Sequence, residues 1–338
     1  NVTIVHIVST KNKSILGIDK QITEALKSYV GYVKHTNNQF LKFFRFIKMF
    51  YKIKKEIEPY VLIHLNILYP FGIIALIQKV LKNKPYIISE HWTGYHLPKV
   101  NSIPFLEKYL SKIIAKKATY ICPVSNHLAK AMQSFGLNGT YKPIPNVVDT
   151  SKFAPIKKNT NHFNIVHISS LKDDHKNITG MLKAAKLIED DIPNFTWYFI
   201  GGNDNKYKST IQQLNFSSAK IQFIEHLEHA EMIPLLQQAH LFVLFSNYEN
   251  LPCVILESFS CGVPVISTNV GGIEEYFPKE FGDFVTKNDS KELAKKIISF
   301  YENPIQKQEE MHNYAIHNFS KERIAEQFSD IYKETLNN

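Results

Sequence analysis

The chain has 338 residues, of which 44% are hydrophobic, and this is sufficient for two domains with full cores. Basic residues outnumber acidic ones by 40 to 31, and the resulting net charge of +9 is scattered along the chain. This charge balance suits an anionic partner such as nucleotide phosphates or an anionic membrane surface, and we expect no binding of nucleic acid. No run of the sequence approaches the roughly 20 apolar residues of a membrane-spanning helix.

Short β-type runs alternate with helical patterns throughout the chain, which is typical of α/β proteins with parallel sheets. In the first half we predict strands at residues 3–8, 61–65, 86–89 and 120–124. The helices predicted between them cover residues 19–29, 71–81 and 103–117. Residues 29–32 are expected to run almost directly into a basic aromatic helix at 40–55, with no strand between.

A linker is predicted at residues 143–149, because two prolines and an asparagine cannot continue a helix. Asn146 and Asp149 in this linker are expected to hold turns through their own backbone. The pattern then restarts, with strands at 163–168, 196–201, 221–224, 241–245 and 264–267 and helices at 179–188, 230–238 and 321–336. We therefore predict domains at 1–150 and 151–320, followed by a terminal helical segment at 321–338.

The three cysteines are odd in number and lack a CxxC spacing, so they are expected to be buried free thiols of a reducing cytosol. No signal peptide is recognisable, and the chain starts at Asn1 without a methionine, so a short N-terminal piece is expected to be missing. These features predict a cytoplasmic protein.

Two glutamates, Glu249 and Glu257, lie eight residues apart after the predicted strand 241–245. The first is placed on a loop at the carboxyl end of a strand, where α/β sheets bind ligands. The second is placed about two turns into the following helix. A Gly-x-Pro strand and the pair Gly271-Gly272 come next. Two exposed helix carboxylates are the alternative interpretation, and the complete frame argues against it.

This frame resembles the donor-site signature of retaining glycosyltransferases of family 4, which have the GT-B fold. The resemblance implies two Rossmann-like domains whose parallel sheets face an interdomain cleft, with the last helix packing back on the first domain. It implies a UDP-sugar or GDP-sugar donor and a glycan or lipid-linked acceptor. Glu257 is then expected to bind the ribose, and Glu249 to lie by the donor sugar and phosphate, together with backbone amides near Asn250 and Leu251.

The segment 169–177 follows the first strand of the second half and resembles the phosphate side of that donor site. The resemblance assigns Lys176 to the donor diphosphate, where a cation stabilises the charge that builds up as the glycosidic bond breaks. Many relatives carry an arginine where this chain has Ser170, so one of two usual cations is absent. We retain Ser170 as a donor-binding candidate, and a solvated lysine at a helix start is the alternative for Lys176.

In the first half, residues 89–95 resemble the family's Glu-His segment. The resemblance implies that His91 orients the donor sugar, while Trp92 or Tyr95 is suited to stacking on a sugar face. His64 is expected to brace the cleft rather than to act in the chemistry. Gly17 is expected to let its loop approach the donor phosphate or acceptor, with an ordinary turn glycine as the alternative.

The sequence contains no Asp-x-Asp pair, which metal-dependent glycosyltransferases of the other main fold use to hold a divalent cation. The resemblance therefore implies no metal and no cofactor besides the donor, with lysine and helix N-termini binding the diphosphate. Walker and Gly-x-Gly-x-x-Gly motifs are also absent, which argues against an ATPase and a dehydrogenase.

The resemblance as a whole implies a retaining transfer in which the acceptor attacks from the face that the diphosphate leaves. A donor phosphate oxygen assists the deprotonation, so no side chain needs to act as a strong base. A GT-B epimerase or phosphorylase is the alternative among enzymes. A non-catalytic sugar-nucleotide-binding protein is the alternative from another class.

The segment 40–55 reads FLKFFRFIKMFYKIKK, and five of its six basic residues fall at helical steps of three or four. They are Lys42, Arg45, Lys48, Lys52 and Lys55. This pattern fits a sheet-packing helix with one wet face. It also fits a helix lying on an anionic membrane, which would place the protein peripherally on the inner face.

Overall fold

The structure is a computed structural model that describes residues 4–9, 29–33, 44, 47–48, 51 and 61–337, apart from 97–98, 159–161 and 217–219. The chain divides into two compact units. Unit 1 comprises residues 1–147 and 321–338, and unit 2 comprises residues 148–320. The change of unit thus falls inside the segment 143–149, and the C-terminal helix is counted with unit 1.

Unit 1 contains a parallel sheet with the strand order β2-β1-β3-β4-β5. Its strands are β1 (Ile4–Ser9), β2 (Tyr29–Val33), β3 (Leu62–Leu65), β4 (Tyr86–Glu90) and β5 (Tyr120–Pro123). Its helices are α1 (Gly72–Lys82), α2 (Phe105–Lys117), α3 (Asn126–Ser134) and the C-terminal helix (Lys321–Asn337), with 3-10 turns at Thr93–Tyr95 and Lys99–Ser102. The connections from β3 to β4 and from β4 to β5 each contain a helix, as is usual between parallel strands.

No strand was predicted at residues 29–32, whereas Tyr29–Val33 forms β2 and pairs in parallel with β1. Five residues interrupted by Gly31 are too few to show a clear period in the sequence. Residues 19–28 of the predicted helix at 19–29, Gly17 and most of the segment 40–55 lie outside the described residues, and Tyr29 belongs to β2 instead. Within that last segment, residues 44, 47, 48 and 51 are helical.

The core of unit 1 joins the sheet to the C-terminal helix. Ile324, Phe328 and Ile331 recur at helical spacing and pack on sheet residues such as Leu62 and Ile87. This spacing explains why the helix buries one face against the sheet.

A buried histidine also ties this helix to the sheet. His64 is fully buried, with Nδ1 2.7 Å from the Tyr332 hydroxyl and Nε2 2.7 Å from Ser89 Oγ. Both ring nitrogens are therefore occupied by protein partners, which agrees with a bracing role.

Unit 2 contains a second parallel sheet, with the strand order β11-β10-β9-β6-β7-β8. Its strands are β6 (Phe163–Ile168), β7 (Phe195–Ile200), β8 (Lys220–Ile224), β9 (Leu241–Leu244), β10 (Val265–Thr268) and β11 (Gly282–Val285). Its helices are α4 (Asp173–Lys176), α5 (Ile178–Leu187), α6 (Lys208–Leu214), α7 (His229–Gln237), α8 (Cys253–Ser260), α9 (Ser290–Glu302) and α10 (Gln308–Phe319), with 3-10 turns at Ile273–Tyr276 and Lys279–Phe281.

The sequence did not predict β11, the edge strand of this sheet. It has only four residues, GDFV, of which two are glycine and aspartate, so it carries little β-type signal. The core of unit 2 is formed by buried side chains of β6, β7 and β9 with those of α5 and α9, including the fully buried Trp197.

None of the helices among the described residues is long and apolar enough to cross a membrane. The cysteines are free, as expected, although Cys253 is only partly buried while Cys122 and Cys261 are buried.

Candidate active site

The strand order of unit 2 reverses direction between β6 and β9, which are hydrogen-bonded neighbours. In open α/β sheets such a switch point creates a crevice outside the carboxyl ends of the two strands, where ligands bind. The segment 169–177 leaves β6 at this point and the segment 245–252 leaves β9. Both segments are site candidates from the sequence, and the topology places them side by side.

Lys176 is the last residue of the single-turn helix α4 and is 9% exposed. The next residue, Asn177, has φ +53° and ends that turn in the left-handed conformation. Its side chain also caps α5, accepting a hydrogen bond of 3.1 Å from the Gly180 amide. Asparagine suits this position because it tolerates the left-handed region and caps helices well. The turn thus positions the nearly buried Lys176 at the carboxyl end of the sheet.

The Lys176 ammonium forms an ion pair with the Glu249 carboxylate from the neighbouring loop. Ser246 Oγ donates to the same carboxylate oxygen at 2.7 Å, and His175 Nε2 lies 3.6 Å from it. Burial raises the pKa of Glu249, but Lys176 and His175 outweigh that effect and bring the pKa down to about 2. Glu249 is therefore a permanently ionised carboxylate, 7% exposed, at the switch point.

His175 is a site residue that the sequence did not indicate. Its ring stacks on Tyr248 at a centroid distance of 4.1 Å, and its Nε2 lies 2.7 Å from the Tyr248 carbonyl oxygen, to which it donates. The Asn247 amide donates in turn to the His175 carbonyl at 2.8 Å. These contacts fasten the loop after β9 to α4, and they hold Glu249 against Lys176.

The Gly271-Gly272 turn packs against the loop that carries Glu249. Gly271 has φ +67°, and a Cβ at this residue would lie 2.1 Å from the Glu249 carbonyl oxygen. The Gly272 amide donates to the Asn250 carbonyl at 2.8 Å. Asn250 and Leu251 are 5% and 4% exposed. The turn requires glycine because any side chain there would collide with the loop that carries Glu249.

Glu257 lies in α8 and is 7% exposed. The helix begins at Cys253, after Pro252, so Glu257 lies just over one turn into it. The prediction that Glu257 lies about two turns into the helix is therefore wrong. Its Oε1 lies 3.0 Å from His229 Nε2 at the start of α7. This hydrogen bond raises the pKa of His229. The sequence indicated the glutamate but not the histidine, which is 28 residues away.

The turn after β6 contains Ser169 and Ser170. Ser169 Oγ accepts a hydrogen bond of 3.0 Å from the Leu171 amide and lies 2.8 Å from Nε2 of the buried His167. Burial lowers the pKa of His167 to about 3, so this imidazole is neutral and structural. Ser170 itself is exposed in the turn. The structure therefore leaves Ser170 accessible without assigning it a role.

In unit 1, the carboxyl end of β4 carries Glu90, a fully buried carboxylate. It accepts hydrogen bonds from the amides of Leu68, His91 and Trp92 at 3.0–3.1 Å and from the Tyr95 hydroxyl at 3.4 Å. Burial raises the pKa of Glu90, and these hydrogen bonds oppose the shift. The sequence motif includes Glu90 without indicating a role for it, yet this residue organises the loop that presents His91.

His91 has an exposed side chain, with Nδ1 3.0 Å from Asn146 Oδ1. Asn146 was expected only to hold a turn, and the sequence did not indicate its contact with the candidate site residue His91. Gly17 lies outside the described residues. The structure thus joins Lys176, Glu249, Asn250 and Leu251 in one loop cluster of unit 2, with Glu257 in the following helix, whereas His91 belongs to unit 1.

Unit 1 also contains a cavity of about 170 Å³ that the sequence did not predict. Aromatic rings form much of its lining, and Glu107 and Ser111 contribute polar groups. The rings are those of Tyr69, Trp92, Tyr95 and Phe135. Burial raises the pKa of Glu107. An aromatic wall with few polar groups is the usual lining of a small-molecule site.

Within the described ranges, no cluster of three or more histidine, cysteine or acidic side chains is arranged to hold a metal ion. The polar groups at the switch point instead include the Lys176 ammonium, the Glu249 carboxylate, the Ser246 hydroxyl and the His175 imidazole. This set suits a ligand that carries both anionic groups and hydroxyls.

Two family descriptions match the chain. Glycosyl transferases group 1 matches residues 148–318, which is unit 2 almost in full. Glycosyltransferase Family 4 matches residues 5–152, which is most of unit 1. The two matches together cover nearly the whole chain, including the switch-point cluster and the His91 segment.

Curated relatives include a GDP-mannose-dependent monoacylated alpha-(1-6)-phosphatidylinositol monomannoside mannosyltransferase of Corynebacterium glutamicum. It is 26% identical over 208 residues, covering 56% of this chain and 54% of the relative. A phosphatidylinositol N-acetylglucosaminyltransferase component of Arabidopsis thaliana is 27% identical over 205 residues, covering 57% of this chain and 44% of the relative. The matches thus span about half the length of these two relatives.

A longer match is to UDP-Gal:alpha-D-GlcNAc-diphosphoundecaprenol alpha-1,3-galactosyltransferase of Escherichia coli. It is 25% identical over 314 residues, covering 85% of this chain and 79% of the relative.

Solved structures resemble the whole chain. Sucrose-phosphate synthase from Thermosynechococcus elongatus has a TM-score of 0.79 at 17% identity, covering 99% of both chains. Anabaena Alr3699/HepE in complex with UDP and glucose has a TM-score of 0.76 at 17% identity, covering 98% of this chain and 100% of that one. These likenesses confirm the predicted fold. The chain has the two-domain α/β fold of GT-B glycosyltransferases and belongs to the Glycosyl transferases group 1 family, of the family 4 type.

Proposed function

We propose that the chain is a retaining glycosyltransferase that moves a sugar from a nucleotide-diphospho-sugar to a glycan or lipid-linked acceptor, without a metal ion. The observation that carries this proposal is the Lys176–Glu249 ion pair at the switch point of unit 2, followed by the nearly buried Glu257. Family membership and the names of the relatives support the same reaction class.

Lys176 supplies the cation for the donor diphosphate. Its ammonium is nearly buried, and a charge in such a site acts more strongly than one in water. In the structure, Glu249 is the partner of this ammonium. Donor binding therefore requires that the diphosphate competes with Glu249 for Lys176, or shares the ammonium with it.

Glu249 serves as an acceptor of hydrogen bonds from hydroxyls of the donor sugar. With a pKa of about 2 it is neither a proton donor nor an effective general base near neutral pH. This favours the retaining mechanism in which a donor phosphate oxygen receives the acceptor proton. His91 is proposed to orient the sugar from unit 1, held by its contact with Asn146.

Glu257 binds the ribose. A carboxylate can accept from two vicinal hydroxyls at once, which makes it a suitable partner for the 2′ and 3′ positions. His229 leaves the second oxygen of Glu257 for the ligand, because its bond is to Oε1. The buried Asn250 and Leu251 lie on the loop between the two glutamates, where backbone amides face the donor in our proposal.

The cavity of unit 1 is proposed to hold part of the acceptor. Sugar rings have apolar faces that stack on aromatic side chains and hydroxyls that reach a carboxylate. A volume of about 170 Å³ is smaller than the roughly 300–1,000 Å³ of pockets for drug-sized ligands, so one ring or a short segment suits it. The proposed association of residues 40–55 with a membrane remains a prediction, because most of that segment lies outside the described residues.

The two alternative functions differ from a transferase in whether nucleoside diphosphate is released. A GT-B epimerase would change the sugar nucleotide without releasing nucleoside diphosphate, and a non-catalytic binding protein would release none. The intact set of Lys176, Glu249 and Glu257 favours a transferase over both. The presence of Ser170, where many relatives carry an arginine, favours a non-catalytic protein.

The experiment begins with a thermal-shift panel of UDP- and GDP-sugars, since a ligand at 100-fold its Kd stabilises by about 2.7 kcal/mol. Release of nucleoside diphosphate from the stabilising donor is then measured with added glycan and lipid-linked acceptors, for the wild type and for Lys176→Met. We expect release by the wild type that Lys176→Met greatly reduces. NMR of the transferred sugar should show the anomeric configuration of the donor. Binding without release would contradict the proposal, and an inverted anomer would contradict retention.

A further inference from the structure

The Glu257 carboxylate, for which we propose ribose binding, has a histidine beside it. Among the residues that the structure describes, His229 is the one side chain that hydrogen-bonds to this carboxylate, with Nε2 3.0 Å from Oε1. The Glu257 side chain is 9% exposed, whereas the His229 side chain is 41% exposed. The pair thus joins a nearly buried carboxylate to an imidazole that solvent and ligands can reach.

The contact with Glu257 fixes the tautomer of His229. An ionised carboxylate only accepts hydrogen bonds, so Nε2 carries a proton and donates it in both the neutral and the charged imidazole. A second proton on Nδ1 changes the net charge of the pair from negative to zero and leaves the donating atom unchanged. The position of the carboxylate and the charge of the pair are therefore separable properties.

The segment that contains Phe153 ties the helices of the two partners together. The Phe153 and His229 ring centroids are 5.0 Å apart, in an edge contact with an interplanar angle of 64°. Phe153 is fully buried, and its carbonyl accepts a hydrogen bond from Ser260 Oγ of α8. The Ala154 carbonyl accepts one of 2.8 Å from the Gln237 side chain of α7. These contacts hold the histidine of α7 against the glutamate of α8.

Glu257 dominates the electrostatic surroundings of His229. Its hydrogen bond raises the pKa of His229 above the ordinary value of 6.5, while partial burial opposes that shift. Lys152 lowers this pKa and Asp149 raises it, and these two side chains pair with each other at 3.1 Å. The positive end of the α7 dipole disfavours an imidazolium at the first residue of the helix. The other titratable groups of that turn and the residues before it are Glu225, His226, Glu228 and Glu231.

The α8 helix contributes no further charge to the pair. Its sequence, CVILESFS, contains Glu257 as the single charged side chain. Cys253 and Cys261 lie four residues to either side of Glu257, and burial raises the pKa of both thiols, so they stay neutral. The charge of this part of the site therefore depends on the protonation of His229.

That charge affects a nucleotide-sugar because the ligand is itself an anion. When His229 is neutral, Glu257 places a net negative charge near a ligand whose two phosphates are also negative, and the interaction is repulsive. When His229 is protonated, the pair is neutral and this repulsion is removed. The ribose hydroxyls can hydrogen-bond to Glu257 in both cases, since His229 occupies Oε1 and leaves Oε2 available.

We propose that His229 is a positioning residue of the donor site, which holds Glu257 for the ribose and, when protonated, cancels the charge that this carboxylate presents to the donor phosphates. The inference rests on the proposed function, because it needs a nucleotide-sugar at Glu257. Donor affinity should then be highest below about pH 6.5, where the imidazolium is present, and fall as pH rises through the raised pKa of His229.

The test is calorimetric titration of UDP-glucose and GDP-mannose into the full chain between about pH 5.5 and about pH 8, the range in which histidine changes charge. Sugar nucleotides lack the terminal phosphate of a free nucleoside diphosphate, whose ionisation near about pH 6 would add a second titration. His229→Gln keeps an N–H donor without a titratable group, and His229→Leu keeps volume without a donor. His317→Gln is the matched control, because it makes the same exchange at an exposed position on α10. Unfolding midpoints without ligand report the folding of each variant.

We expect the wild type and His317→Gln to lose roughly two- to fivefold in affinity from the acid to the alkaline end, as for a partly exposed charge. His229→Gln should match the wild type at the alkaline end and lack the gain at the acid end. His229→Leu should bind roughly two- to tenfold more weakly than His229→Gln at every pH, because the hydrogen bond to Glu257 is lost. A wild-type pH profile in His229→Gln, or equal affinities of the glutamine and leucine variants, would overturn the proposal.

Two further measurements exclude a merely structural role. The difference between His229→Leu and His229→Gln should shrink when UDP and GDP are replaced by their 2′-deoxy analogues, and an undiminished difference would overturn a role through the ribose. NMR of ¹³C-labelled histidine should show that the sugar nucleotide raises the pKa of His229 further, because linkage between proton and ligand is reciprocal. A pKa that is unchanged or lowered by the ligand would overturn the role of charge.

The outcomes separate this inference from the proposed function. Donor binding that does not depend on His229 would overturn the inference and leave the proposed function standing. A wild type that binds no sugar nucleotide at any pH would contradict the proposed function, and the inference with it. Donor binding with the expected dependence on His229, but without sugar transfer, would support the inference and contradict the transferase.

Discussion

Lys176 and Glu249 form a nearly buried ion pair that joins the turn after β6 to the loop after β9, although 73 residues separate them in the chain. Breaking such a pair costs about 3–5 kcal/mol when the other charge remains buried and unpaired. The pair therefore both stabilises the site and sets the conditions for binding a third charged group. A diphosphate is an anion that can replace the carboxylate beside the ammonium or share the ammonium with it.

The first prediction is that two substitutions in this pair change nucleoside diphosphate affinity in opposite directions. Glu249→Gln should strengthen the binding of free nucleoside diphosphate by roughly tenfold, because an anion next to the diphosphate has been removed. Lys176→Met should weaken it by about 1.5–3 kcal/mol, the contribution of a charged hydrogen bond. Calorimetric titration measures both, and a loss of affinity in Glu249→Gln would show that Glu249 holds the nucleotide directly.

The second prediction concerns acid stability. The pKa of Glu249 in the folded protein is about 2, below its ordinary value of 4.5, so its stabilising contribution is present above pH 4.5 and is lost as pH falls through 2. The full contribution is up to about 3 kcal/mol. Urea unfolding of the wild type and Glu249→Gln from neutral pH to about pH 3 should show the two stabilities converging as pH falls. A difference that is constant with pH would contradict this interpretation.

The third prediction is that Gly271→Ala disrupts the donor site. The left-handed conformation costs an alanine about 1–2 kcal/mol, and its Cβ would lie 2.1 Å from the Glu249 carbonyl oxygen, so the loop must move. Nucleotide binding should therefore fall by more than the loss of global stability explains. Gly202→Ala is the matched control, because the nearest atom to its Cβ is a flexible leucine methyl at 3.3 Å. Equal effects of both alanines would argue against a specific role of the 271–272 turn.

The fourth prediction is that sugar transfer needs no divalent metal. If the Lys176 ammonium takes the place of a metal ion on the diphosphate, as we propose, activity should persist in excess EDTA. The assay compares turnover before and after chelation and after adding Mg²⁺ or Mn²⁺. Complete loss on chelation, with recovery by either metal, is the outcome that rules the prediction out.

Much of the fold is readable from periodicity alone. The predicted strand at 163–168 agrees with β6 in both bounds, and the prediction at 241–245 differs from β9 by one residue. These strands are central and mostly apolar, which is the strongest signal that a parallel sheet offers. The edge strands β2 and β11 were missed, because each is short and contains glycine.

Some residues of the candidate site could likewise be predicted from the sequence, and others could not. Glu249, Glu257 and Lys176 stand out because the surrounding motif has a recognisable spacing. His175, His229 and Glu90 were missed, because their roles depend on partners that only the folded chain brings close. His229 meets Glu257 through packing of α7 near α8, and Glu90 acts through three backbone amides that no residue pattern encodes.

The measurement that tests the central claim most directly is calorimetric titration of UDP, GDP and the matching sugar nucleotides into the wild type and Glu257→Ala. If unit 2 binds a nucleotide-sugar through Glu257, the variant should lose about 1.5–3 kcal/mol for the nucleoside diphosphate and for its sugar nucleotide alike, because both contain the ribose. Glu309→Ala, which removes the same charge from an exposed position on α10, should bind as the wild type does. Unchanged affinity in Glu257→Ala, or no binding of any sugar nucleotide by the wild type, would contradict the account.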